Sequence, residues 1–379
     1  MITQKIALKI SNKAQAEYLD KRIEFARRSY NSMLGNYNDT YNAWKNLTES
    51  EKQENKDLKP TIRKMRDKQK TNKIVGFEDC SNMIVETESE HLDRAFKMFF
   101  KGISKYPKFK KHGTKHSFSI NKKNKNTCRV DDDNKIHISK NCIIKLSEKI
   151  KYKNPKIYTF LKQADKYFVS IIFDDNPPLP NKTNINCGID VGLKTTVSLY
   201  DSNDEYYQIS MDYSQLSKDY KKVDDYTRIL SRKKKGSKRY IKFKLKRQKQ
   251  FAKIKNKKND FNKKTSSYIC NKYDEIGLED LNIEGMRKNK KLSHSLQIKS
   301  IGIFLNCLIA KAQTTNKKII KVDRFFPSSQ ICSSCGQIHH EMKDLSLRTF
   351  MCDCGCNLDR DINAAKNILK ESQRIRVKI

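Results

Sequence analysis

The spacing of apolar side chains changes period several times along the chain. Residues 2–10 alternate, with Ile6, Leu8 and Ile10 on one face and Lys5 and Lys9 on the other, which is the period of a β-strand. From Leu19 the step lengthens: Ile23, Ala26, Tyr30, Leu34, Tyr37, Tyr41 and Trp44 recur every three or four positions and predict a long amphipathic helix. A helical lobe therefore interrupts a β-domain soon after its first strand. The lobe is expected to run through the polar stretch Glu49–Asn72 to a second periodic segment carrying Leu92, Ala95, Phe96 and Phe99. After the basic stretch Lys101–Lys115, the runs Lys135–Ser139, Cys142–Leu146 and Ile157–Leu161, the last turning at Ala164-Asp165 into Tyr167–Phe173, supply strands that complete the first sheet.

Asp174–Asn186 contains Pro177, Pro178 and Pro180, which offer no N–H to a sheet ladder, and is read as a linker. Beyond it come a strand at Cys187–Asp190 and a hairpin from Thr195–Tyr200 and Tyr206–Ile209. A largely helical, basic segment Tyr220–Tyr273 follows, then a strand at Glu275–Leu278, a helix around Leu296–Ala312, a strand at Lys318–Val322, and a closing helix from about Ile362. Strands alternating with helices predict an α/β domain with a mixed sheet. The whole chain is thus α+β multidomain.

Charge narrows the function. The 379 residues hold 80 Lys+Arg against 43 Asp+Glu, a net charge of +37, more than solubility needs and of the sign that displaces counterions from a phosphate backbone. No run approaches the ~20 apolar residues of a membrane span, and Met1–Ser11 lacks a signal-peptide centre, so a cytoplasmic location and no membrane partner are expected. Six of the 11 cysteines are scattered singly, as free thiols are in a reducing compartment, and five crowd into residues 332–356.

Three segments deliver acids. Gly188-Ile189-Asp190-Val191-Gly192 ends an apolar strand on a carboxylate, with small neighbours expected to let a phosphate backbone approach. Ile276-Gly277-Leu278-Glu279-Asp280 does the same, and Asp359-Arg360-Asp361 opens a helix, where an acid can also serve as a cap. Acids on three separate segments of so basic a chain point to phosphodiester hydrolysis with two Mg²⁺ ions about 3.5–4 Å apart, one activating water and one stabilising the leaving 3′ oxygen.

Cys332-Ser333-Ser334-Cys335-Gly336 and Cys352-Asp353-Cys354-Gly355-Cys356 form two close cysteine pairs, the signature of one structural Zn²⁺ in a tetrahedral thiolate site. Cys354 or Cys356 could complete it; Cys354 is chosen because its Cys-Gly step repeats that of Cys335-Gly336, with His339 and His340 as nearby substitutes. The run Ser231–Lys264 is dense in cations, among them Arg232, Lys234, Lys238, Arg239, Lys242, Lys246 and Arg247, with Tyr240, Phe243 and Phe251 interleaved. It is read as a phosphate-binding helix.

These motifs, in the order Gly-Ile-Asp190-Val-Gly, Leu278-Glu279-Asp280-Leu281, Ser328-Ser329-Gln330-x-Cys332-x-x-Cys335-Gly336 and Asp359-Arg360-Asp361-x-Asn363-Ala364-Ala365, resemble those of TnpB, the transposon-encoded RNA-guided nuclease family ancestral to miniature type V CRISPR effectors. Arg22–Tyr30, Leu92–Phe100 and Tyr106-Pro107-Lys108-Phe109-Lys110 extend the likeness to the amino-terminal half. The resemblance implies a wedge-like β-barrel (1–11 and 113–178) with an inserted helical recognition lobe (12–112), then a RuvC-like, RNase H-fold nuclease domain (179–330 and 357–379) with an inserted zinc element (331–356). It implies Asp190, Glu279 and Asp361 as catalytic acids, Asp361 being preferred to Asp359 because the family's acid lies two residues before the Asn. It also implies an insertion-sequence protein, monomeric in a ribonucleoprotein, in which RNA from the transposon end guides double-strand DNA cleavage beside a short motif. A miniature type V effector and a nuclease-inactive RNA-guided repressor are the alternatives, the second disfavoured by retention of all three acids. A basic, zinc-containing RNA-binding or ribosome-associated protein would leave those acids without a role.

Overall fold

The computed structural model describes residues 2–113, 117–121, 128–175, 179–344 and 346–377. Lys115, Pro177 and Pro178, which figured in the basic stretch and the linker, lie outside them. The chain divides into two compact units, Met1–Asn176 and Pro177–Ile379, with the division inside the proline-rich linker.

In the first unit, β1 (Ile2–Lys9) leads into α1 (Lys13–Lys45), α2 (Glu49–Glu54), α3 (Ile62–Thr71) and α4 (Asn82–Phe100), followed by β2 (Ser117–Asn121), β3 (Arg129–Val130), β4 (Lys135–Ser139), β5 (Cys142–Leu146), β6 (Pro155–Gln163) and β7 (Lys166–Phe173). The strands form one sheet in the order β2-β6-β7-β1-β5-β4-β3. β1 pairs with β7 through Ile2–Ala7 but with β5 only through Leu8 and Lys9. That stagger curls the sheet, so the expected wedge-like barrel takes the form of a half barrel with β2 and β3 at its edges. Alternation read correctly the buried face of β1, where Ile6 and Leu8 meet the core.

Along α1 the apolar stripe is buried from Leu19 to Leu34, while Tyr41 is 41% exposed. The polar stretch that defied periodicity resolves into short capped helices: Thr48 and Glu51 form a capping box at α2, and Thr61 caps α3. β2 and β3 were not foreseen.

The second unit comprises β8 (Asn186–Asp190), β9 (Val197–Asp201), β10 (Tyr206–Ile209), α5 (Tyr213–Ser231), α6 (Lys238–Lys272), β11 (Glu275–Glu279), α7 (Ile283–Lys288), α8 (Lys290–Lys299), α9 (Ile301–Thr314), β12 (Lys318–Val322), β13 (Thr349–Met351), β14 (Asn357–Asp359) and α10 (Arg360–Val377). Its main sheet has the order β10-β9-β8-β11-β12, with β8, β11 and β12 parallel and β9 and β10 antiparallel. Both faces are covered. Cys187, Ile189, Val197, Leu199, Ile276 and Leu278 pack with Ile269 of α6, Tyr273 just beyond it, and Phe304 and Leu308 of α9, whereas Gly188, Gly277 and Tyr200 face α10.

Two helices predicted as continuous are broken. The basic segment is a helical hairpin: α5 ends at Ser231, Gly236 adopts φ +86°, and Ser237 caps α6, so Arg232 and Lys234 belong to the turn and not to a helix. Four adjacent cations followed by Gly-Ser favour a solvated turn over a helical turn of like charges. The fully buried Asp219 of α5 holds the hairpin together, binding Gln250, Lys253 and Lys257 of α6. The second break falls at Ser300, in the left-handed region at φ +53°, between α8 and α9. The closing helix starts at Arg360, two residues earlier than read.

Candidate active site and cysteine centre

Parallel pairing sets the first two acids. Leu278 sits opposite Ile189, so the next residues, Glu279 and Asp190, emerge side by side at the carboxyl ends of β11 and β8. The third comes from α10. An ideal β-carbon at Gly188 would stand 2.2 Å from the Ala365 carbonyl oxygen and 2.4 Å from the Leu369 nitrogen, and one at Gly277 would stand 2.8 Å from Ser372 Oγ. The missing side chains let α10 lie against the strands, which brings its first turn, with Asp361, to the strand ends. Gly188 therefore admits a helix and not the phosphate backbone expected of it. Gly192 does flank the site, since a β-carbon there would come within 3.9 Å of Asp361 Oδ2.

The two acids of the Asp-Arg-Asp motif have separate tasks. Asp359 Oδ1 accepts from the amides of Asp361 (2.9 Å) and Ile362 (3.3 Å) and caps α10. Asp361 is left facing the strand ends. Arg360 is buried and donates to the carbonyl of Asp344 at 2.7 Å. Asn363 donates to the Ile331 carbonyl at 2.8 Å and accepts from the Ser333 amide at 3.0 Å.

The three carboxylates share a half-buried, electrostatically crowded place. Burial, then the charges of Glu279 and Asp361, push Asp190 well above the usual carboxylate range. Burial also raises Glu279, against a hydrogen bond from Ser328, and burial with the charge of Asp359 raises Asp361, against Arg348, Arg360 and Lys194. Oxygen donors crowded enough to resist ionising are a fitting environment for a hard divalent cation.

Among the described residues, Cys332, Cys335, Cys352 and Cys354 have ligand atoms that all lie within 4.8 Å of one another. The carboxylates are not drawn together that tightly. The thiols lie on two knuckles: Gly336 N donates to Cys332 O and Gly355 N to Cys352 O, both at 2.9 Å, and both glycines adopt left-handed φ, +86° and +87°. The repeated Cys-Gly step thus closes both turns on a left-handed glycine, the first turn being one residue longer than the second. Burial opposes ionisation of Cys332, yet the amides of Cys335 and Ser334 and the adjoining thiols hold it down at about 6. Cys356 is 9% exposed and packs with Met342 and Phe350 in the small core beneath the knuckles. His339 donates from Nδ1 to the Glu341 carboxylate at 2.9 Å and lies edge-on to Phe350. Four clustered thiols fit a zinc ion.

Of the cations singled out, Lys238, Arg239, Lys242 and Lys246 are exposed along α6, and Arg232 and Lys234 are exposed in the turn before it. Arg247 is half-buried and reaches Thr227 of α5 at 3.5 Å. Phe243 packs on Tyr226 of α5, while Phe251 is 48% exposed. Sequence reasoning passed over Ser328, Arg360 and Asn367 as site residues; Asn367 donates to the carbonyls of Ser328 (2.8 Å) and Ile331 (2.6 Å).

Residues 160–290 match the OrfB_IS605 family, described as "Probable transposase", and residues 302–368 match the "Cas12f1-like, TNB domain" family. A Streptomyces pristinaespiralis protein named "Putative RNA-guided DNA endonuclease" is 27% identical over 302 residues, covering 79% of this chain and 74% of the relative. The "TnpB-like protein L79" of Acanthamoeba polyphaga mimivirus is 31% identical over 201 residues, covering 50% of this chain and 38% of the viral protein. A solved Cas12f1 chain, from a complex with sgRNA and target DNA, shares the fold with a TM-score of 0.56 at 16% identity, covering 94% of this chain and 83% of that one. The resemblance read from the motifs is therefore borne out: the chain is similar to the TnpB-like proteins, and it matches the OrfB_IS605 and Cas12f1-like TNB families in succession along its length.

Proposed function

We propose that the protein is an RNA-guided DNA endonuclease of an insertion sequence that cleaves double-stranded DNA by divalent-metal-dependent hydrolysis. The observation that carries this reading is the convergence of Asp190, Glu279 and Asp361, from two parallel strands and one helix, in a chain of net charge +37. The Streptomyces relative's name and the RNA and DNA in the Cas12f1 complex support the same class of partner and reaction.

The three acids would hold Mg²⁺, which when bound supplies a Lewis acid for water activation and for the leaving 3′ oxygen. The carboxylates themselves position and need not exchange protons. Cys332, Cys335, Cys352 and Cys354 would hold one structural Zn²⁺. Exposed cations of α6 and of the preceding turn would neutralise phosphates of an RNA drawn from the transposon end or of its heteroduplex with DNA. The domain limits implied by the resemblance stand as part of this proposal, with the linker at the boundary of the two units.

Expression with the native flanking DNA, followed by sequencing of copurifying RNA, tests the partner. A single structured RNA from the element's end is the expected result, and a broad mixture of cellular RNAs would contradict it.

A further inference from the structure

Glu279 is held by a residue from outside its own strand. Ser328, 6% exposed, directs its hydroxyl to Glu279 Oε1. Its backbone is itself fixed: the Ser328 carbonyl accepts from Asn367 of α10 at 2.8 Å, and three residues on the Ile331 carbonyl accepts from both Asn363 and Asn367. Asn363 is fully buried and Asn367 is 4% exposed. Arg360 reaches Ser329 Oγ at 3.3 Å, and the Ser333 amide, inside the first cysteine knuckle, donates to Asn363. Residues 328–333 therefore run as a strut from Glu279, along the helix that carries Asp361, to Cys332.

Two features separate this arrangement from ordinary packing. The hydroxyl binds one carboxylate oxygen and leaves Oε2 of Glu279 for a cation, which fixes the carboxylate plane. The donor is also mounted on the helix that delivers the third acid, so the relative placement of Glu279 and Asp361 depends on it. We infer that Ser328 is a positioning residue for Glu279, and that the strut makes metal binding at the acids depend on the folded cysteine centre. This rests on the reading of Asp190, Glu279 and Asp361 as a divalent-cation site.

The test uses the full chain with its copurified RNA and measures Mn²⁺ binding by paramagnetic resonance, alongside the Mg²⁺ concentration for half-maximal DNA cleavage and the thermal midpoint. Outer residues that orient metal ligands typically contribute about 10–100-fold in affinity. Ser328→Ala is expected to weaken Mn²⁺ binding about tenfold and to raise the Mg²⁺ requirement similarly, with little change in thermal midpoint. Ser328→Thr, which keeps the hydroxyl, should restore both. If Ser328→Ala folds poorly, Ser328→Cys, nearly isosteric but a weak donor, should show the same metal defect. Parent-like Mn²⁺ affinity in a folded Ser328→Ala or Ser328→Cys protein would overturn the inference. So would a folded Ser328→Thr protein as defective as Ser328→Ala. Asp190→Asn separates this from failure of the underlying reading. If it too leaves Mn²⁺ binding unchanged, the acids are not a metal site; if it alone abolishes binding, only the role of Ser328 falls.

Discussion

Gly188 and Gly277 are paired directly across adjoining parallel strands, and neither can carry a β-carbon without displacing α10. The obstacles differ. At Gly188 they are backbone atoms of Ala365 and Leu369, the nearest at 2.2 Å, and at Gly277 they are side-chain atoms of Ser372 and Ile368, the nearest at 2.8 Å, so that a smaller shift of the helix suffices. Gly188→Ala should cost about 3 kcal/mol or more and impair cleavage, whereas Gly277→Ala should cost only about 1–2 kcal/mol. Thermal denaturation of the two variants checks the order, and equal or reversed losses would contradict the packing described.

Asp359 and Asp361 should separate cleanly under substitution. Asp359→Asn keeps a good cap and should leave stability and cleavage close to the parent, while Asp359→Ala should lose about 1 kcal/mol and retain cleavage. Asp361→Asn should remove cleavage without loss of stability, since it relieves a crowded carboxylate. Melting curves with a plasmid-nicking assay distinguish the two.

That separation shows what was legible in the sequence. Apolar strands ending on acids gave up Asp190 and Glu279, because a short apolar run and a strand-terminal carboxylate are local signals. The choice between Asp359 and Asp361 rested on family likeness; the capping bonds that give its physical reason exist only once α10 is in place. The cysteine knuckles were visible as Cys-Gly repeats. Ser328 and Asn367 were not, because a serine or asparagine acquires a role only through a partner distant in sequence. The short strand β3 and the broken helices around Gly236 and Ser300 were missed because a turn within a basic or apolar run leaves the surrounding periodicity almost unchanged.

At the far end of the sheet, Asp274 binds Lys317, whose side chain is 4% exposed, and accepts from the amides of Thr183 and Asn184. Burial pushes Asp274 up, but Lys317 and the two amides outweigh it and hold the carboxyl below its ordinary value. A depressed carboxylate stabilises above its unfolded value of about 3.9, and that contribution disappears as pH falls through the folded value. Asp274→Asn should therefore destabilise by about 2–4 kcal/mol at neutral pH. The gap from the parent should shrink in acid. Denaturant titrations at pH 7 and pH 3 check this, and a constant gap would contradict it.

Zinc should be present at one ion per chain and be lost in Cys335→Ser, with local unfolding around residues 331–356. Cys356→Ala should keep zinc, because Cys356 lies in the small core and outside the thiol cluster, and should show only a packing loss. Elemental analysis of the purified variants decides between them; zinc lost in Cys356→Ala and retained in Cys354→Ser would reverse the assignment.

In the proposed function, DNA cleavage is directed by RNA and carried out at Asp190, Glu279 and Asp361. The direct measurement supplies the purified protein with its RNA carrying one of two unrelated guide segments of about 20 nucleotides, and maps cuts in a plasmid holding both targets beside randomised flanks. Exchanging the guide should move the cut to the other target, next to a common flanking motif, and Asp190→Ala should still bind the matching target without cutting it. Cuts whose position ignores the guide, or undiminished cleavage by Asp190→Ala, would contradict the proposed function.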